Sequence, residues 1–69
     1  MRRAYFRTED QRLEITTVWQ KGDVYTDKHG HSLEPTDIVE TLKGWPDSRV
    51  RLYNVMDCGY KIGEILVPE

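Results

Sequence analysis

Cys58 is the only cysteine in a chain of 69 residues, and that combination sharply limits how the chain can be stabilised. A chain this short buries only about 60% of the surface its unfolded form exposes, so its core is thin. Small domains usually compensate with disulfides, a metal or a partner subunit. A single cysteine cannot close an intramolecular disulfide, which excludes the secreted disulfide scaffolds. With 38% hydrophobic residues, burial nearly cancels an ordering entropy of about 1.5 kcal/mol per residue. Self-association is the compensation left most open. The length also sets the domain count at one, over residues 1–69.

Arg2 and Arg3 follow Met1 with no apolar run behind them, so no secretory signal is expected. Nor does any stretch approach the roughly 18 consecutive apolar residues of a membrane span. Ten basic side chains against twelve acidic ones argue against a general nucleic-acid or membrane-surface binder. These features predict a folded, soluble, cytoplasmic protein with no membrane contact. The charge is uneven: Arg2, Arg3, Arg7 and Arg12 outnumber Glu9 and Asp10, whereas residues 23–47 set Lys28 and Lys43 against six carboxylates. Such a field can orient a partner, although ordinary surface charge explains it as well.

Periodicity predicts mostly strands. Arg2–Arg7 reads as a short strand that ends at the polar cluster 8–11. Leu13, Ile15, Thr17 and Trp19 then recur with period two in a β-branched run. Thr8 and Gln11 also fit a capping box, but Ile15-Thr16-Thr17-Val18 is a poor helix interior. A turn at residues 20–23 leads into a short strand, Val24–Asp27. A helix is expected next, with Pro35 in its first turn, Asp37 and Glu40 near the positive end of its dipole, and Ile38 and Leu42 as its apolar stripe. Gly44 would cap it and Pro46 would end it, with Trp45 folding back toward Val39. The last third reads as a hairpin: Val50 to Met56, a loop at Asp57-Cys58-Gly59, and Tyr60–Val67. In that pairing Met56 faces Tyr60, Tyr53 covers Gly63, and a bulge falls near Gly63. The expected fold class is α+β, a small antiparallel sheet in the order βββ-α-ββ with one helix packed on a face. A β-grasp-like arrangement and a small SH3-like barrel are the alternatives.

No catalytic set is expected. His29 and His31 flank Gly30 and follow Asp27, a nitrogen and oxygen donor pattern that suits zinc. No further histidine completes the shell, and a solvated loop accounts for the pattern. Cys58 stands between Asp57 and Gly59; a neighbouring carboxylate raises a thiol pKa, opposite to what a nucleophile needs. The spacing Gly59 to Gly63 lacks the lysine and helix of a phosphate loop. The expectation is therefore a non-enzymatic protein-interaction module without cofactor or metal, binding another protein or a second copy of itself as an accessory or inhibitor subunit. Arg49, Arg51, Tyr53 and Trp45 are its candidate contacts, being of the residue types that anchor interfaces. The alternative is a small nucleic-acid-binding protein that uses Arg49, Arg51, Tyr53 and Lys61 as a basic and aromatic sheet face.

Overall fold

The computed structural model describes residues 1–44 and 49–69. Six antiparallel strands follow one another: β1 (Arg2–Arg7), β2 (Leu13–Lys21), β3 (Val24–Thr26), β4 (Ser32–Thr41), β5 (Arg49–Asp57) and β6 (Tyr60–Pro68). Each pairs with the next, and β1 pairs with β6 to close a barrel. The described residues contain no helix, so none is long and apolar enough to cross a membrane. The expected α+β class is thereby corrected to all-β, with which the alternative of a small SH3-like barrel is compatible.

The error lies in residues 35–44, where a strand replaces the helix. Thr36, Ile38, Val39 and Thr41 are β-branched, and their stiff χ1 fits a pleated surface better than a helical turn. Ile38 is 52% exposed, so the apolar stripe that argued for a helix buries little. An isolated helix of this length would be marginal, whereas β5 offers β4 a long partner. Pro35 cannot donate to a ladder, and it sits where pairing breaks off: it faces Tyr53, the register shifts, and Val39 resumes opposite Arg51. Within the shift, Thr36 Oγ1 donates to the Leu52 carbonyl (2.8 Å) and accepts from the Ile38 N–H (3.1 Å). The expected stop at Pro46 and the packing of Trp45 on Val39 fall outside the described residues.

The other strands form where period two places them, and residues 8–11 are a loop rather than a helix start. The last hairpin turns more tightly than expected. Asp57 faces Tyr60 and Met56 faces Lys61, leaving a two-residue loop at Cys58-Gly59. Both loop residues have positive φ, 51° and 81°, the type I′ geometry whose twist matches a hairpin. Val55 faces Gly63, so Ile62 is the unpaired bulge residue and Tyr53 lies opposite Ile65. The ring over Gly63 is that of Phe6: a Cβ on Gly63 would stand 3.3 Å from Phe6 Cε2.

Two apolar clusters hold the sheet from its two sides. Ala4, Val18, Leu33, Val55, Ile65 and Val67, with Tyr25 and Tyr53 against them, come from all six strands and fill the barrel. Tyr5, Val50, Leu52 and Leu66 gather with Leu13 and Leu42 into a second cluster. Successive side chains point to opposite faces, and Tyr5, Leu66 and Leu52 face one another across β1, β6 and β5. These three strands are thus buried on both faces, which explains the unbroken run Ile65-Leu66-Val67. The Arg7–Glu40 ion pair (3.0 Å) ties β1 to the far end of β4.

Candidate functional site

Arg49, Arg51 and Tyr53 alternate on β5 and so share a face, as expected. Arg49 is exposed. Arg51 donates to the Thr36 carbonyl (2.9 Å) and to Glu69 Oε1 (3.1 Å). Tyr53 meets Tyr25 edge to face, with ring centroids 5.7 Å apart, and packs on the inner cluster. Burial, then the neighbouring Tyr25, push its phenol above the ordinary value, while Arg51 and Arg2 pull the other way. Arg2 donates to the Tyr25 hydroxyl (2.9 Å) and to the Pro68 carbonyl (2.6 Å). The structure thus brings Arg51 and Tyr53 together, but with Arg2, Tyr25 and Glu69 as the closure of one barrel end. Lys61 is ion-paired with Glu64 (2.7 Å). Trp45 lies outside the described residues.

Residues 27–31 form a loop organised by one carboxylate. Asp27 Oδ1 accepts the N–H groups of His29 (2.9 Å) and His31 (2.8 Å), and Oδ2 lies 3.2 Å from His31 Nδ1. The Asp27 side chain is only 10% exposed. Burial alone would raise its pKa, but the backbone N–H and imidazole of His31 and the His29 N–H outweigh it and hold the carboxyl below the ordinary range. Asp27 is thereby used as a turn organiser. Among the described residues no group of three His, Cys, Asp or Glu side chains is placed to hold a metal ion.

This loop is one wall of a cavity of about 370 Å³. The floor is apolar, made by Phe6, Val55, Gly63 and Ile65, and Asp27, Lys28, His29 and His31 line the loop side. Glu14, Ile15 and Thr16 of β2 and Ile62 of β6 complete the lining. Ile62 is 52% exposed; Ile15, 68% exposed, lies opposite Tyr5 of the second cluster, so its side chain leaves β2 on the other face. A shallower hollow continues past Phe6, Ile62 and Gly63 toward Glu9 and Gln11. Glu14 and Lys28 make no ion pair among the described residues.

The cavity opens because β3 is short. β2 pairs with β3 only through Trp19, Gln20 and Lys21, whereas its residues Leu13–Val18 pair with β1 alone. Among the described residues no strand lies on their other side, so that edge faces the cavity and the 27–31 loop. Sequence reasoning placed β2 but not this site, since ladder partners far along the chain decide which edges stay open. The available signal was the mismatch between a nine-residue β2 and a three-residue β3. The chain matches no protein-family model, no curated protein and no solved structure.

Proposed function

We propose that the chain is a small, non-enzymatic, cytoplasmic protein-interaction module that seats part of another protein in the cavity between β2 and the 27–31 loop. The observation that carries this reading is the apolar floor beside the unpaired Leu13–Val18 stretch of β2, with Ile62, 52% exposed, in the same lining. An exposed apolar group beside a concavity marks a contact surface, and a thin core gives little reason to leave Ile62 in water otherwise. The cavity presents carboxylates, imidazoles and an amine, but no nucleophile held by a base and oriented by a third group, and this favours binding over chemistry. Arg49 and the β5 face are a secondary contact in this reading.

The test is affinity capture from native cell lysate with the wild-type chain and with an Ile62→Glu variant, each with and without nuclease. The position is exposed, so the substitution leaves stability nearly unchanged. Discrete proteins that survive nuclease and disappear with the variant support the module. Enrichment that vanishes on nuclease treatment overturns it in favour of nucleic acid and directs mutation to Arg49, Arg51, Tyr53 and Lys61.

A further inference from the structure

Among the described residues the partial ladders leave several stretches of strand edge open, and all but one of these carry a feature that discourages pairing. β6 pairs with β1 only at Glu64–Leu66; its open stretch before that contains Lys61, the Ile62 bulge and Gly63. β4 is open on its β3 side beyond Leu33, and there it carries Pro35, Asp37 and the register shift. Arg2 and Arg3 guard the open start of β1, where Arg2 binds the Pro68 carbonyl. Lysine, proline, bulges and charges are the usual means of blunting an edge. β2 is the exception. Leu13–Val18 has no lysine, proline, glycine or bulge, it is rich in β-branched residues, and its single charge is Glu14.

We infer that the partner enters as an extended strand that pairs with the open edge of β2, and that it carries an apolar residue two positions before a lysine or arginine. This inference rests on the module reading above and specifies its ligand. In antiparallel addition, the residues facing Thr16 and Glu14 lie on one face of the incoming strand, two apart. Glu14, Thr16 and Val18 alternate with Ile15 and Thr17, and Val18 belongs to the inner cluster, so this is the face directed at the cavity. The residue facing Thr16 delivers its side chain toward Val55, Gly63 and Ile65. The residue facing Glu14 meets a carboxylate that has no ion pair among the described residues, and a cation is its complement. Main-chain hydrogen bonds supply affinity in such strand addition, and the alternating side chains supply selectivity.

The probes are fluorescent nine-residue peptides of alternating threonine and valine with a central Leu-x-Lys, the same peptide with Leu-x-Glu, and a Leu-x-Lys peptide N-methylated at alternate backbone positions. Anisotropy should show Leu-x-Lys binding about three- to fivefold tighter than Leu-x-Glu, as a cross-strand charge pair gives. The preference should vanish in Glu14→Gln, and N-methylation should abolish binding. Hydrogen exchange should show new protection of alternate amides within residues 14–18. Binding without that protection, or binding indifferent to N-methylation, overturns the strand inference while leaving the module reading intact. Failure of every peptide, while Ile62→Glu still loses the proteins captured by wild type, has the same meaning. Amides of 14–18 already protected in a dimer without peptide would assign the edge to a second copy and overturn the peptide as occupant.

Discussion

Asp27 holds a five-residue loop with two oxygens, so small changes to it have large local effects. Asp27→Ala removes the acceptor of the His29 and His31 N–H groups. The expected loss is about 0.5–1.5 kcal/mol, since the His29 N–H is exposed and the His31 N–H part-buried, so water replaces much of what the carboxylate gave, and urea unfolding would measure it. The carboxyl titrates below its ordinary value of 3.8, which means the folded state favours the ionised form. Its contribution is therefore present above that value and is lost as pH falls through the lower folded pKa. Comparing wild type with Asp27→Asn between pH 5 and pH 2.5 should show the stability difference shrink toward the acid end. A difference that grew on acidification would contradict the arrangement. Gly63 is sensitive for a steric reason: Gly63→Val places atoms against the Phe6 ring and should destabilise by about 1–3 kcal/mol. Phe6→Ala should recover part of that loss in a double-mutant cycle.

At the scale of elements, β4 is where sign rather than size is informative. Thr36→Ala would stabilise a helix, because alanine is the better helix former. In the strand it removes the bond to the Leu52 carbonyl and the acceptor of the Ile38 N–H, so a loss of about 1–2 kcal/mol is expected, read as a lower thermal midpoint. The hairpin supports the opposite kind of change. Cys58 adopts a positive φ before Gly59, a position that favours asparagine, and Cys58→Asn should raise the midpoint by a degree or more. Five of the six strands were legible because period two and turn residues are local properties. The β4 strand was not, since Pro35, Asp37, Ile38, Leu42 and Gly44 are spaced as a helix would have them, and only the distant β5 decides otherwise. The open edge of β2 was illegible for the same reason. Arg51 and Tyr53 were correctly read as neighbours on one face, but the partners that engage them, Thr36, Glu69 and Tyr25, lie far from them in sequence.

For the molecule as a whole, two small clusters share the three strands β1, β5 and β6, and a single truncation reaches far. Leu66 is fully buried between Tyr5 and Leu52. Leu66→Ala should remove about 2–5 kcal/mol, a large part of what a domain this small possesses, and the chain should become largely unfolded by circular dichroism at 37 °C. Ile15→Ala, at an exposed position, should change stability by less than about 0.5 kcal/mol. The pairing of β1 with β6 has a further consequence for biosynthesis. β1 has one of its two ladder partners, β6, and half of the inner cluster encoded more than forty residues after it. At about 5–20 residues per second, β1 and β2 wait several seconds as a lone hairpin, too small to be stable alone, with the uncovered Leu13–Val18 edge among their accessible surfaces. Closure therefore waits until β6 has been synthesised, and until then that edge stands open to foreign pairing.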